Sequence, residues 1–354
     1  MKKILTLMTV LLALSSFAFA GKKSESKSEK LKVVTTIFPE YDWAKEIIDE
    51  KVDNVELTLL LNNGVDLHSY SPSVKDIAKI SEADIFIYVG GESDEWVDDV
   101  IKNAKNPNMK VINLVEVLGD RVKNEEIVEG MQHGHHHHDE HGHDDHDDDD
   151  EHDHHDAHEH HHDEHDEHAH HHHEEDEKDE HVWLSLRFAK TLCGAIADAL
   201  CEKDSANATV YKKNLASYTA KLDTLDAKYV EAVESARIKT VLFGDRFPFR
   251  YLVDDYNLKY YAAFAGCSAE SEASFKTIVF LSEKVNELDL QAVCQIESGN
   301  GKIAKTIISN SKNKKAKVLT FDSLQSTTAK QIKKGTTYLG AMEKNLEVLK
   351  AALK

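Results

Sequence analysis

Eight short apolar segments, arranged in two groups of four, constrain the fold of this 354-residue chain more than any other feature. Each is rich in β-branched residues and is followed by a charged amphipathic segment, which is the pattern of βα units and a parallel sheet. We therefore expect an α/β protein with two βα lobes, each built on a four-stranded, mainly parallel sheet. The segments lie at 32–38, 55–61, 85–89 and 110–114, and at 240–243, 260–264, 292–296 and 317–321.

One long helix is predicted between the two groups. Residues 205–237 contain no glycine or proline, and their large apolar residues recur at alternating spacings of three and four. This predicts a single rigid rod of roughly 45 Å that permits only limited rocking of the lobes. The apolar stripe consists of Tyr211, Leu215, Tyr218, Leu222, Leu225, Tyr229 and Val233. The resulting division is an N-terminal lobe at 31–202, a linking helix at 203–237 and a C-terminal lobe at 238–354.

The first twenty residues, MKKILTLMTVLLALSSFAFA, have the pattern of a secretory signal. Two lysines precede an apolar run that is too short for a comfortable membrane span, and small residues follow. We expect cleavage after Ala20, a polar spacer at 21–30, and a soluble periplasmic or secreted protein. No cysteine lies near the junction to carry a lipid. A retained membrane anchor is the alternative.

Four cysteines follow far downstream. Cys193 and Cys201 lie eight residues apart in a helical pattern, roughly 12 Å along the axis, which is too far for a disulfide. Cys267 and Cys294 could form a bridge in an oxidising compartment. Isolated buried thiols are the other interpretation.

A tract of histidine and acid occupies 133–173 and holds 21 of the 23 histidines. From Asp139 to Glu180 there are 22 acidic residues against Lys178 alone, so this stretch accounts for the whole formal charge of −21. The remainder is close to neutral and offers no basic footprint for nucleic acid. Because the tract has no apolar periodicity, we expect a disordered insertion at about 126–180 within the first lobe.

Such a tract offers many weak sites for borderline divalent ions, since neutral imidazoles lie among carboxylates. Its function would be to capture zinc when the ion is scarce or to buffer it when abundant. A charged solubilising loop is the alternative. The predicted accessory metal residues are His133, His135, His136, His137, His138, His170, His171, His172 and His173.

Only His68 and His181 lie outside the tract. His68 follows the second predicted strand, and in open α/β sheets ligands collect at the carboxyl ends of strands. Ser73 is placed to cap the next helix, and His181 precedes a helix predicted to reach about Cys201. Taken singly, either histidine could be structural.

Four sequence motifs, in this order along the chain, indicate a function for these two histidines: DLHSYSPSVKD, EADIFIYVGG, EHVWLS and LTFDSL. Together they resemble the substrate-binding proteins of zinc and manganese ABC importers, cluster A-I, over nearly the whole chain after the signal. The resemblance implies that His68, His181 and Asp322 bind a metal in a cleft between the lobes. It also implies a non-enzymatic, monomeric receptor that delivers Zn²⁺ to a membrane permease with a cytoplasmic ATPase. A histidine-rich loop before the HVWL word is a recurring feature of the zinc-type members.

The chain departs from that family in one place. The family supplies a further His or Glu after the first strand of the second lobe, but here the segment reads TVLFGDRFPFRYL without histidine. Asp245 is the nearest candidate ligand, and its alternative is a turn or a salt bridge to Arg246 or Arg250. Glu297, at the end of a later strand, is a weaker candidate.

Imidazole nitrogens with carboxylate oxygens suit Zn²⁺, while Mn²⁺ tolerates the same donors with more oxygen, so zinc is favoured. A metallohydrolase lacks support because no HExxH motif or other metal-spaced histidine cluster occurs outside the tract. A zinc storage or resistance protein and a zinc-dependent adhesin are the alternative functions.

Overall fold

Two four-stranded parallel sheets form the framework of the computed structural model, which describes residues 30–49, 52–132, 177–268 and 272–354. The strands are β1 (Leu31–Thr35), β2 (Val55–Leu59), β3 (Ile85–Tyr88), β4 (Lys110–Asn113), β5 (Thr240–Phe247), β6 (Lys259–Ala265), β7 (Ala292–Ile296) and β8 (Lys317–Phe321). Their orders are β2-β1-β3-β4 and β6-β5-β7-β8, so the two sheets share one topology. The predicted pair of four-stranded parallel sheets is confirmed.

Helices follow the strands as the βα pattern requires. They are α1 (Phe38–Ile48), α2 (Val74–Ser81), α3 (Trp96–Lys102), α4 (Leu114–Leu118), α5 (Leu186–Lys203), α6 (Ala208–Glu234), α7 (Arg250–Asp255), α8 (Phe275–Glu287), α9 (Lys302–Asn310), α10 (Ala329–Lys333) and α11 (Tyr338–Ala352).

The first strand is shorter than its apolar run suggests. Phe38 belongs to α1 rather than to β1, because Pro39 fixes a helical φ in the first turn and has no N–H for a sheet to use. Glu40 completes the turn by accepting the Thr36 N–H at 2.8 Å. The chain therefore leaves the sheet at Thr35.

The long helix is α6, which has 27 residues and a length of about 40 Å. A single 3-10 turn at Ser205–Asn207 precedes it, so the predicted rod begins slightly later than expected. Its apolar stripe is buried except for the partly buried Leu215. Near its start Asn214 donates to the Ile47 carbonyl at 2.9 Å, and near its end Tyr229 donates to the Met342 carbonyl at 2.6 Å. It is thus bonded to α1 at one end and to α11 at the other.

The C-terminal helix α11 returns to the first lobe. The Tyr338 N–H donates to Asp42 at 2.7 Å, and its hydroxyl donates to the Trp183 carbonyl at 2.6 Å. Both aromatic side chains are fully buried. One core therefore extends from the first sheet into the second, and a smaller core lies between the second sheet and helices α8 and α9.

The ends of the predicted insertion are ordered, which corrects its boundaries. The Glu125 N–H donates to the Glu177 carbonyl at 2.7 Å, and the Asp179 N–H donates to the Lys123 carbonyl at 2.9 Å. Asp179 and Glu180 are each only 2% exposed. Backbone pairing across the base of the insertion outweighs the polar composition of these residues. None of the helices among the described residues is long and apolar enough to cross a membrane.

Candidate metal centre

His68 lies in a one-turn 3-10 helix that follows β2. Asp66 caps this turn by accepting the His68 N–H at 3.1 Å, and its carboxylate also pairs with Arg246 on β5. The imidazole Nδ1 lies 2.7 Å from Ser93 Oγ and 3.7 Å from Glu180 Oε2. With Nδ1 engaged in this way, His68 Nε2 faces His181 Nε2.

His181 lies immediately before the helical turn Val182–Leu184 that leads into α5, and it is fully buried. Asp179 Oδ1 accepts both the His181 backbone N–H at 3.0 Å and a hydrogen bond from Nδ1 at 2.8 Å. A carboxylate on Nδ1 fixes the tautomer that carries its proton there. Nε2 is then a lone-pair donor, as in carboxylate–histidine–metal arrangements.

The two imidazoles meet through these nitrogens, with 3.1 Å between His68 Nε2 and His181 Nε2. Two nitrogens bound tetrahedrally at about 2.0–2.1 Å from one zinc ion lie roughly 3.3 Å apart. Facing lone pairs repel each other unless a proton or cation lies between them. The spacing fits a hydrogen bond between the two rings and also fits two ligands of one zinc ion.

Cys267 is the third member of this group. One ring nitrogen of each histidine and the Cys267 sulfur all lie within 4.8 Å of one another. Cys267 follows the end of β6, so it reaches the group from the second sheet, whereas His68 and His181 come from the first lobe. The candidate centre thus contains donors from both lobes.

A cavity of about 300 Å³ opens at this group, and its walls are predominantly acidic. Four of the lining residues are glutamates and one, Lys178, is a cation that donates to Asn124 at 2.8 Å. A concave acidic surface raises the local concentration of cations. The lining residues are His68, Glu92, Ser93, Glu125, Glu177, Lys178, Glu180 and Cys267.

Burial sets the protonation states of the group. Burial and the neighbouring His181 lower the pKa of His68 to about 3, so its imidazole is neutral at neutral pH. Burial raises the pKa of Glu180 to about 7, and Glu180 Oε2 has no hydrogen-bond partner. Burial and Glu125 raise the pKa of the Cys267 thiol above its usual range. A bound divalent cation would favour the ionised forms of Glu180 and Cys267, because an opposite charge nearby stabilises an anion.

The structure does not bring the predicted carboxylates into this group. Asp245 Oδ1 accepts the Arg246 N–H at 2.9 Å and Oδ2 accepts the Ile296 N–H at 3.3 Å. Asp322 Oδ1 accepts the Leu324 N–H at 2.9 Å, and burial raises the pKa of Asp322 to about 6. No carboxylate oxygen of either residue lies in the 4.8 Å cluster that the described residues form.

Glu297, the weaker candidate, is engaged elsewhere. Its carboxylate accepts the backbone and hydroxyl hydrogens of Ser323, both at 2.8 Å, and the Ser326 hydroxyl at 2.9 Å. It therefore holds the loop after β8.

The histidine tract itself, including the nine accessory metal residues from His133 to His173, lies outside the described residues. Its flanks are described. Gln132 donates its N–H to the Ala263 carbonyl on β6 at 2.9 Å, and Glu177 lines the cavity. The C-terminal flank of the tract is therefore attached at the cavity wall, and its N-terminal flank is attached to β6 of the second sheet.

Cys267 is the residue that the sequence reasoning missed. All four cysteines are free thiols, so the Cys267–Cys294 bridge is not formed. Cys294 is enclosed within β7, whereas Cys267 lines the cavity. The signal was available, because Cys267 follows a predicted parallel strand at the sheet edge where ligands collect.

The chain is similar in sequence to known zinc-binding proteins. Residues 33–352 match the family model described as zinc-uptake complex component A, periplasmic. The chain is 31% identical over 349 residues to the zinc-binding protein AdcA of Streptococcus pyogenes serotype M3, covering 99% of this chain and 61% of the relative. It thus spans about three fifths of the length of the AdcA relatives that it matches.

Two further similarities cover whole proteins or domains. The high-affinity zinc uptake system protein ZnuA of Bacillus subtilis is 29% identical over 330 residues, with 93% of this chain and 90% of that protein covered. The Zn(II)-bound ZnuA-like domain of Streptococcus pneumoniae AdcA superimposes with a TM-score of 0.64 at 26% identity, covering 92% and 99% of the two chains. The full S. pneumoniae protein is named a zinc-binding lipoprotein.

Proposed function

Because the chain belongs to the family of the periplasmic zinc-uptake complex component A, we propose that it is an extracytoplasmic receptor that captures Zn²⁺ and delivers it to an ABC permease. The observation that carries the proposal is the pair of Nε2 atoms 3.1 Å apart, each on an imidazole whose Nδ1 is held by another side chain. His68 and His181 are the principal ligands. The protein is a binding component that catalyses no reaction.

Capture and release follow from the position of the centre between the lobes. His68 lies on the first lobe, and its turn is joined to β5 of the second through the Asp66–Arg246 ion pair. Helix α6, fixed at both ends, restricts the lobes to small rotations. Ion binding draws the lobes together, and docking of the monomer on the permease, which a cytoplasmic ATPase powers, opens them again.

Asp322 is proposed as a further ligand. The loop that carries it packs on the turn that carries His181, because Trp183 Nε1 donates to the Ser323 carbonyl at 2.8 Å. Closure of the lobes would bring the Asp322 carboxylate toward the histidines. Asp245 is the weaker proposal, since both of its oxygens accept backbone N–H groups.

Zinc titration by calorimetry tests the proposal on the mature protein after deletion of residues 132–175. We expect one tight site in this protein and its loss in the double variant His68→Ala, His181→Ala. Asp322→Asn in the same background should weaken binding. If the double variant binds zinc as tightly as its parent, the centre is not the site. The storage or resistance function of the tract would be favoured if the parent without residues 132–175 has no tight site.

The tract is proposed to recruit or buffer zinc for this centre. His173 lies four residues before Glu177, so at most about 15 Å of chain, at 3.80 Å per residue, separates it from the cavity wall. Tethering at that distance raises the effective concentration of captured ions. Deletion of residues 132–175 should lower the total zinc stoichiometry and leave one tight site. An unchanged stoichiometry would contradict a role of the tract in metal binding.

We further propose that the protein acts in the periplasm or outside the cell after removal of residues 1–20. The lysine pair, the apolar run and the small residues before Gly21 support this proposal. Fractionation of cells and N-terminal sequencing of the exported form test it. A chain that begins at Met1 in the membrane fraction would contradict it.

A further inference from the structure

A third donor is needed at the centre, and the first strand of the second lobe does not provide one. Gly244 packs so closely against α9 that an added Cβ would lie 2.7 Å from the Ala304 Cα, which leaves no space for a side chain. Asp245, the next residue, is bound to two backbone N–H groups. The donor must come from another element.

The adjacent strand supplies it. β6 pairs with β5 in parallel up to the Phe247–Ala265 register, so the residues that follow Ala265 leave the sheet beside the end of β5. Gly266 then passes directly against His181, and a Cβ there would lie 2.9 Å from the imidazole Cε1. This close approach brings the next residue, Cys267, to the two histidines.

A hydrogen bond also holds the backbone of Cys267 in place. Its N–H donates to Glu125 Oε1 at 3.1 Å, and Glu125 is paired with Glu177 across the base of the tract. Cys267 is one of the residues that line the acidic cavity. Glu180 has a buried oxygen without a hydrogen-bond partner at the same cavity, which is an independent sign that a cation belongs there.

We propose that Cys267 is a metal ligand that takes the place of the missing histidine, so that the centre binds zinc through two imidazoles and one thiolate, with Asp322 as the further proposed ligand. This inference rests on the proposed zinc-receptor function. In a tetrahedral site with zinc–sulfur and zinc–nitrogen distances of about 2.3 and 2.0–2.1 Å, sulfur and nitrogen lie roughly 3.6 Å apart. Starting from atoms within 4.8 Å, a shift of about 1 Å completes the site. When the zinc–sulfur bond forms, the thiol proton is released to solvent.

The thiolate also determines which ion is selected. Thiolate is a soft ligand that favours zinc, whereas Mn²⁺ prefers carboxylate, carbonyl and water oxygens. A receptor with two imidazoles and a thiolate should therefore bind zinc in the presence of excess manganese. This selectivity does not depend on the histidine tract.

Cobalt(II) substitution tests the proposal in the full-length mature chain. A thiolate bound to Co²⁺ gives an intense sulfur-to-metal charge-transfer band in the near ultraviolet, which imidazole and carboxylate ligands of the tract do not give. We expect this band in the native protein and in the control Cys201→Ser, whose thiol lies on α5 beside the Ala208 carbonyl. Cys267→Ser should lack the band, and zinc should abolish it in the native protein.

Zinc-edge X-ray absorption of the native chain with one equivalent of zinc gives a second measurement that needs no variant. One sulfur neighbour at about 2.3 Å is expected. A tight site without sulfur, or a charge-transfer band that persists in Cys267→Ser, would overturn the thiolate ligand while the receptor function stands. Tight binding that survives His68→Ala and His181→Ala would instead refute the receptor function itself.

Discussion

Asp179 provides the strongest test of how the proposed centre is built, because it would act on a bound metal only through His181. Its Oδ1 atom accepts two hydrogen bonds from that residue, at 2.8 Å from Nδ1 and at 3.0 Å from the backbone N–H. Both residues are buried. The carboxylate therefore fixes the tautomer and the ring orientation that present Nε2 to the ion.

The expected loss of zinc affinity depends on which residue replaces Asp179. Removal of a partner of this kind costs about 10–100-fold in metal affinity, which corresponds to roughly 1.4–2.7 kcal/mol. Asp179→Asn keeps an oxygen acceptor but loses the charge, so zinc affinity should fall about tenfold. Asp179→Ala loses the acceptor as well and should approach a hundredfold. The Asp179 backbone stays in place because it is bonded to Lys123 and Tyr251.

The assay is zinc titration with a competing chelator, in the protein that lacks residues 132–175. Asp255→Asn is the matched control, since this partly buried carboxylate accepts the Ser185 hydroxyl at 2.6 Å and has no bond to His181. It should leave the zinc Kd unchanged. If Asp179→Ala binds zinc like the parent while its melting temperature is native, the assignment of Nε2 as the metal-binding atom is refuted.

Three further predictions concern the surroundings of the centre. Burial raises the pKa of Asp42 from 3.8 to about 6, so the folded state binds the proton more tightly. The contribution of Asp42 to the free energy of unfolding, measured by urea titration without zinc, should then fall by about 2 kcal/mol from pH 4 to 6, and Asp42→Asn should flatten this slope. Gly91→Ala should destabilise the fold by about 1–3 kcal/mol and weaken zinc binding, because φ is +91° and the new Cβ would lie 2.5 Å from Glu180 Oε1. A Gly91→Ala variant with native melting temperature and native zinc Kd would contradict this prediction. Tyr338→Phe should lower the free energy of unfolding by about 1–3 kcal/mol, because it leaves the buried Trp183 carbonyl without its hydrogen-bond donor. An unchanged urea midpoint would disprove the role of this bond.

The periodic parts of the fold were accessible from the sequence. All eight strands occur within the predicted apolar segments or within a few residues of them, and the stripe from Tyr211 to Val233 identified α6. Ser73 caps α2, as its place before Asp76 suggested. Side-chain periodicity and capping depend on near neighbours along the chain, so a single sequence records them.

The boundaries of the tract were less accessible. Composition placed Asp179 and Glu180 in a disordered insertion, yet both are buried beside His68 and His181. An acidic residue in a charged stretch looks the same whether it is solvated or paired with a buried imidazole. The distinction depends on the segment at 123–125, more than fifty residues earlier, which pairs with the chain there.

The sequence by itself determined two βα lobes, a linking helix and a family resemblance that named His68 and His181. Only the tertiary structure decided that Cys267 joins them, while Asp245 faces the backbone. The reason is that the chain carries no local mark of which strand end meets which loop. The parallel pairing of β5 with β6 and the approach of Gly266 to His181 set that contact across more than eighty residues.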